Sequence, residues 1–372
     1  MSLCIVNATS LRSSGALVIL NNFVSEALTR DHKYIIFIDD HLDYTDSSNI
    51  KFIKLNCRGW LRRIAWDSIG IRIWLNKNNI EPKVFLSLQN TTCNVNIPQV
   101  IYVHQGTMFS NFNFSFFDSE QRVLFLYKKF YSFFIKLYCQ STTKYVVQTE
   151  VMKKNLIDCL DINPSNVFVS FPDSLIDISK IDNGGKINEL NFDENKFNLL
   201  YPATPIFYKN HVAVLKAMCL IRKSRPDFFN EIVFNITFEK GTYPKFDNIV
   251  SELGLGDKVN YLGVVSKNIL NSLYDKSNLL VFPSFIETLG LPLLEAAFFN
   301  LPIVCSNIDN TKEVLSNYKG AFFVEKNDYQ LWSERLSYIY DNSNQIQSRI
   351  IENNYAINRP GWDVLFKLLD KV

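Results

Sequence analysis

The sequence has no uninterrupted apolar run of the about 18–20 residues that a bilayer-crossing helix needs. Its nearest approach, Val123 to Tyr138, is broken by Lys128, Lys129 and Lys136. Nor does it open with a basic stretch followed by a long apolar one; Met1 to Asn7 reads as a first β-strand rather than a secretion leader. Seven cysteines (Cys4, Cys57, Cys93, Cys139, Cys159, Cys219, Cys305) form no C-x-x-C pair, and most sit in apolar runs, as buried thiols of a reducing cytoplasm do. Neither sign of charge dominates: 39 Lys and Arg face 37 Asp and Glu. No global basic field is then present to gather nucleic acid, so no nucleic-acid partner is expected, and a charged ligand must be met locally.

Two chemical signatures are also missing. A dinucleotide-dependent oxidoreductase or epimerase calls for G-x-G-x-x-G after its first strand, which Ser13-Ser14-Gly15 does not supply. Asp39-Asp40, placed where a ribose-binding acid would stand, read as ordinary loop carboxylates. No suitably placed Asp-x-Asp element could hold a diphosphate through a metal, and His32, His41, His104 and His211 lack metal-ligand spacing. The expectation is chemistry with no metal and no cofactor.

What is present is a globular composition, 47% hydrophobic and 14% aromatic, on a chain of 372 residues. That length exceeds what one core organises, so two domains are expected. Short β-branched apolar runs alternate with longer helical patterns, the signature of parallel sheets covered by helices. Strands are predicted at 3–7, 34–39, 51–55, 84–88, 100–104, 145–149 and 167–170, with helices at 16–29, 63–76, 120–139 and 150–160. The stretch 173–196 turns polar and loses period, and reads as a linker. A second alternation follows, with strands at 198–202, 232–238, 259–262, 279–283, 303–305 and 321–324. The expected organisation is a first doubly wound domain over 1–172, a second over 197–345, and a helical segment over 346–372 returning towards the first. Ligands of such sheets bind beyond the strands' carboxyl ends.

The most informative stretch runs from Pro283 through Glu287, Thr288, Leu289, Gly290 and Pro292 to Glu295. A buried strand enters a loop, then a helix that has proline in its first turn, where a missing N–H costs nothing. A helix start of this kind carries unpaired amides and partial positive charge, so the N–H groups of Thr288, Leu289 and Gly290 could hold a diphosphate. Glu287 and Glu295 flank that point and could accept hydrogen bonds from sugar hydroxyls.

This pattern resembles the Glu-x-x-Gly-Leu-Pro-x-x-Glu signature of glycosyltransferase family 4, retaining enzymes of the GT-B fold, in which two Rossmann-like domains face each other across a cleft. The resemblance implies that the first domain (1–172) binds the acceptor and the second (197–345) the nucleotide sugar, with Glu287 contacting the donor sugar and Glu295 the nucleotide ribose. A second match follows the first strand of the second domain, where Thr204, Lys209 and Asn210 lie in a loop that ends in Lys-Asn before a helix. Lys209 then gives a point charge to the donor diphosphate; otherwise it is a solvated lysine at a helix start. Family members often carry arginine where Thr204 stands, which leaves one cation fewer here and Asn210 as a substitute donor. His104 resembles the strand-end histidine over the donor sugar and is equally readable as a structural hydrogen-bonder. Gly15 keeps one glycine of a usual pair near the phosphates and acceptor. Gln148, Glu150 and Trp362 match family positions more loosely.

The resemblance implies a retaining, metal-independent hexosyltransferase acting from a nucleotide sugar on a glycan or lipid-linked oligosaccharide, as in surface polysaccharide or lipopolysaccharide O-antigen assembly. A non-catalytic sugar-nucleotide-binding or scaffold protein on the same fold is the alternative. The aromatic and basic segment 112–138 is either a core helix with one solvated edge or an element that leans on anionic membrane. The expected location is the cytoplasm, including the inner face of its membrane.

Overall fold

A computed structural model of the chain describes residues 2–172, 190–353, 355 and 360–371. The linker expected over 173–196 lies outside these residues up to 189. The chain divides into two compact units, Met1–Leu175 with Asn358–Val372, and Ile176–Ile357.

In the first unit the elements run β1 (Leu3–Asn7), α1 (Ser14–Ala27), β2 (Lys33–Asp39), β3 (Ile50–Leu55), α2 (Trp60–Ala65), α3 (Ile71–Lys77), β4 (Val84–Ser87), β5 (Gln99–Val103), α4 (Arg122–Lys136), β6 (Lys144–Val147), α5 (Glu150–Leu160) and β7 (Val167–Val169). The strands form one parallel sheet in the order β3-β2-β1-β4-β5-β6-β7. Parallel strands need crossovers, and the crossover helices cover both faces, so the strands are apolar on both sides. Alternation along each strand sorts the core accordingly. Val6, Ile36, Leu86 and Tyr102 face α1 on one side. On the other, Ile5, Phe37 and Phe85 meet α3, while Ile101, Val103 and Val147 meet α4 and α5.

The second unit repeats the plan with β8 (Phe197–Tyr201), α6 (Val212–Ser224), α7 (Pro226–Glu231), β9 (Ile232–Ile236), α8 (Pro244–Glu252), β10 (Val259–Tyr261), α9 (Lys267–Lys276), β11 (Leu279–Phe282), α10 (Leu291–Phe298), β12 (Ile303–Ser306), α11 (Asp309–Val314), β13 (Ala321–Val324), α12 (Tyr329–Asp341) and α13 (Ser343–Asn353). Its sheet is also parallel, ordered β10-β9-β8-β11-β12-β13.

The C-terminal segment is divided between the units: α13 belongs to the second, and α14 (Asp363–Lys371) to the first. Phe171 donates its amide to the Pro360 carbonyl (2.7 Å) and Ser170 its hydroxyl to that of Gly361 (3.0 Å). Trp362 then stacks on Tyr102 at 5.6 Å, and Phe366 on Phe23 at 5.5 Å. Truncating so buried an indole typically costs about 3–5 kcal/mol.

Two sequence expectations are corrected. The helix predicted at 63–76 starts at Trp60 and is split by a π turn, Trp66–Gly70. The Trp66 ring covers Gly70 so closely that a Cβ there would lie 2.5 Å from it. Asp39 is not a loop carboxylate: it ends β2, is 1% exposed, and pairs with Arg12 (2.9 Å) and Arg58 (3.5 Å). With Asp40 and His41 it forms the one trio of metal-capable ligand atoms among the described residues. The two guanidiniums already balance its charge.

Segment 112–138 is neither wholly core nor wholly surface. In α4, Leu124, Tyr131 and Ile135 are buried, whereas Val123, Phe130 and Phe133 point outward, 49%, 50% and 57% exposed. Of the lysines expected on its polar stripe, Lys128 donates to the Phe112 carbonyl (2.8 Å) and Lys136 to that of Leu160 (2.8 Å), while Lys129 is exposed.

Candidate functional site

The second sheet changes direction of winding between its neighbours β8 and β11, and the loops leaving the carboxyl ends of these two strands are stitched together. The Phe285 amide donates to the Tyr208 carbonyl (3.0 Å), and the Ser284 hydroxyl donates to the same oxygen at 3.3 Å. Tyr201, at the end of β8, donates its buried hydroxyl to the Lys209 carbonyl at 2.8 Å. Asn210 follows in the left-handed region (φ 55), a conformation asparagine tolerates better than most residues. Its amide reaches the carbonyls of Pro283 (3.4 Å) and Lys326 (3.3 Å), so it fastens loops together rather than standing free as a donor.

This stitching brings Lys209 and Glu287 into contact, Nζ to Oε1 at 2.6 Å. The Tyr208 and Phe282 rings lie 5.4 and 5.6 Å from the ammonium. Burial works against the lysine's charge, but Glu287 outweighs it and the pKa of Lys209 rises above its ordinary value. Lys209 is therefore a half-buried cation in an ion pair, not a solvated lysine.

Gly290 caps α10 at φ 71, and a Cβ there would meet Leu293 Cδ1 at 2.9 Å. Leu293 turns its amide back to the Gly290 carbonyl (2.9 Å), and Asn310 holds the Thr288 carbonyl (2.9 Å). Among the described residues no acceptor meets the amides of Thr288, Leu289 and Gly290. Nor does the first turn of α10 contain an acid. One turn further, Glu295 accepts from the Tyr274 hydroxyl (2.7 Å) and from Lys267, a residue that the sequence reading missed. Its only sequence signal is a position beside the Ser266 cap of α9. Lys326 was missed likewise; its ammonium lies 4.8 Å from the Phe285 ring, among the same loops. Thr204 accepts the Ile206 amide (2.8 Å) on its carbonyl in a tight turn and brings no charge.

The remaining expected residues lie in the first unit. Gly15 is exposed in the first turn of α1, whose Ser13 cap makes no side-chain bond. His104 directly follows β5. Its Nε2 lies 2.9 Å from the Leu88 carbonyl, which fixes the proton there and leaves Nδ1 as an acceptor. Asn90 accepts the His104 amide at 2.5 Å. Burial, with the nearby Arg63 cation, pushes the imidazole pKa down to about 4, so His104 is neutral at pH 7.

Residues 184–357 match the family described as Glycosyl transferases group 1. Among curated proteins, O-antigen chain mannosyltransferase RfbU of Salmonella typhimurium is 36% identical over 115 residues, 31% of each chain. O-antigen chain mannosyltransferase B of Escherichia coli is 42% identical over 78 residues, 21% of this chain and 20% of that one. D-inositol 3-phosphate glycosyltransferase of Paenarthrobacter aurescens is 25% identical over 147 residues, 40% of this chain and 36% of that one. The chain thus spans about a third of the length of the curated relatives it matches first. Among solved structures, WaaG, a glycosyltransferase involved in lipopolysaccharide biosynthesis, aligns over 100% of this chain and 99% of its own at a TM-score of 0.73 and 14% identity. Anabaena HepE in complex with UDP-glucose aligns over 100% and 99% at 0.69 and 12%. The fold is GT-B, two Rossmann-like units with parallel sheets.

Proposed function

We propose that this chain is a retaining, metal-independent glycosyltransferase that moves a hexosyl group from a nucleoside-diphosphate sugar to a hydroxyl of a glycan or lipid-linked oligosaccharide in O-antigen or related surface polysaccharide assembly. The observation that carries the proposal is the half-buried Lys209–Glu287 pair beside the amides of Thr288, Leu289 and Gly290, which meet no acceptor among the described residues. Those amides and Lys209 suit a diphosphate, Glu287 suits sugar hydroxyls and Glu295 suits a ribose. Its similarity to O-antigen mannosyltransferases supports the pathway, and that to a UDP-glucose-binding structure supports the donor class.

In the proposed reaction the bond from the anomeric carbon to the diphosphate oxygen breaks as the acceptor oxygen bonds to the same face of that carbon. The acceptor proton passes to the departing phosphate. Negative charge grows on the leaving group, where Lys209 and the α10 amides stabilise it; one well-placed donor of this kind is worth about 3 kcal/mol. No protein nucleophile is required.

No helix among the described residues is long and apolar enough to cross a membrane. Location in the cytoplasm, with α4 resting on the inner face of the membrane, completes the proposal. The test is a panel of nucleotide sugars with the full chain, with and without chelator, and the anomeric configuration of the product read by NMR. Sugar release or transfer that survives chelation, with retention, is expected. Nucleotide-sugar binding without turnover on any donor would instead leave a binding protein.

A further inference from the structure

Asn310, in the first turn of α11, reaches across 22 residues of chain to the entry of α10, where its Nδ2 donates to the Thr288 carbonyl at 2.9 Å. Asparagine side chains commonly bond to backbone within a few residues of themselves. Here the amide leaves its own helix for a neighbouring loop. The base from which it reaches is fastened. Thr311, fully buried, donates its hydroxyl to the Ser306 carbonyl at 2.6 Å, and the Asn307 amide donates to the carbonyl of Val324, at the end of β13, at 2.8 Å. Asn310 itself is 9% exposed.

A trans peptide points its carbonyl and its N–H in opposite directions. Holding the Thr288 carbonyl towards Asn310 therefore turns the Leu289 N–H away from α11. That N–H meets no acceptor among the described residues, although Leu289 is only 2% exposed. Backbone N–H groups in such surroundings rarely go unpaired. The bond from Asn310 thus maintains a peptide orientation that is unfavourable by itself and becomes favourable beside an acceptor from outside the chain. With the peptide turned over, a carbonyl oxygen would stand in place of the N–H and repel an anion. Gly290, next along, is left-handed at φ 71 and runs into helical Leu291; a left-handed residue beside a right-handed one gathers successive amides into an anion-binding concavity.

We propose that Asn310 is a positioning residue for the donor diphosphate: by holding the Thr288 carbonyl it keeps the Leu289 N–H presented to the phosphate oxygens and a carbonyl oxygen away from them. This rests on the glycosyltransferase reading above and extends it to a side chain that acts through a peptide rather than on the donor itself. A bond that merely fastened two loops would stabilise the unit equally with or without ligand. A bond that orients the Leu289 amide acts on the diphosphate and spares the nucleoside.

The probes are UDP, GDP, ADP, CDP and dTDP with their matching nucleosides, titrated into the full chain and followed by calorimetry and by the Leu289 amide resonance in NMR. At least one diphosphate is expected to bind and to shift the Leu289 amide proton downfield. Asn310→Ala should weaken that diphosphate about tenfold, equivalent to about 1.4 kcal/mol, and leave its nucleoside unchanged. Asn310→Asp keeps the shape but puts an acceptor where the donor stood, which favours the turned-over peptide. It should weaken the diphosphate more than Asn310→Ala does and abolish the amide shift. Wild-type diphosphate affinity in both variants, or a loss shared equally by the nucleoside, overturns the inference. Should neither variant fold, a Leu289 amide that stays unmoved while the wild type binds diphosphate overturns it. If donor is turned over and the Asn310 variants bind diphosphate normally, the positioning role alone falls. If diphosphate binding depends on Asn310 while no donor is turned over, the positioning role stands and the transferase reading falls.

Discussion

Lys209 and Glu287 are 78 residues apart in sequence and 2.6 Å apart in space, with only 16% and 9% of their side chains exposed. Neither charge is tolerable there alone, so each is the condition for the other's burial. An arriving diphosphate would draw Lys209 towards itself and release Glu287 to accept hydroxyls.

Breaking one side of such a pair leaves an uncompensated buried charge, at a cost of about 3–5 kcal/mol. Lys209→Met should therefore lower the melting temperature of the second unit, and adding Glu287→Gln should restore much of it. Turnover should not return: either single variant is expected to lose about 10²–10³-fold, since the missing group acts where charge develops. Thermal unfolding and donor turnover measured on the same three variants check both halves. Unaltered turnover in either single variant would remove the pair from the site.

Glu295 carries a different load. Its carboxylate is held by buried Tyr274 and by Lys267, whose side chain is 46% exposed. Glu295→Ala should weaken nucleoside-diphosphate binding by calorimetry and leave the Lys209–Glu287 pair in place. Lys267→Ala removes a solvent-exposed competitor worth about 0–1 kcal/mol, so nucleotide affinity should rise by at most about fivefold. A large fall in affinity would instead make Lys267 a ligand of the nucleotide.

Sequence patterns located most strands and the α10 entry, because a short apolar β-branched run and a Gly-x-Pro helix start are local signals. Contacts across the sheet left no such trace. Lys267 meets Glu295 only because α9 and α10 pack together, 28 residues apart in the chain. Arg63 and Asp67 stand four apart, a spacing that in a regular helix reads as a surface ion pair. The π turn, stabilised where the Trp66 ring covers Gly70, carries Asp67 inward to Asn7 and Gln89 instead. Asp39 misled in the same way, since the arginines that neutralise it come from two separate loops.

The depressed pKa of His104 has a pH signature. In the unfolded chain the ring titrates near its ordinary 6.5 and in the folded unit near 4, so between these values the unfolded state binds more protons. Stability is then complete above 6.5 and falls as pH drops towards 4, by about 3 kcal/mol if no other group intervenes. His104→Asn should flatten this acid sensitivity of the first unit, followed by hydrogen exchange of β4 and β5 at pH 5 and 7. Wild-type turnover should show no ionisation near 6.5. An inflection there that disappears in His104→Asn would mean that the ring is solvated in the folded protein.

The outward face of α4 leads to the last prediction. Val123, Phe130 and Phe133 are exposed on one helix, and Phe117 on the preceding loop is 92% exposed, more apolar surface than solubility favours. Arg122, Lys129 and Lys136 are exposed on the same helix. An apolar stripe bordered by cations matches the boundary between acyl chains and anionic headgroups, where each nearby Lys or Arg contributes about 1 kcal/mol. Lys128 and Lys136 already hold backbone carbonyls, so their replacement would confound binding with folding; Lys129 does not carry that burden. The full chain should cosediment with vesicles containing phosphatidylglycerol, less so at high salt. Lys129→Glu should weaken binding severalfold, and Phe130→Ser with Phe133→Ser should abolish it at an unchanged melting temperature. If the wild type stays in the supernatant even at low ionic strength, the exposed stripe of α4 is not a membrane contact.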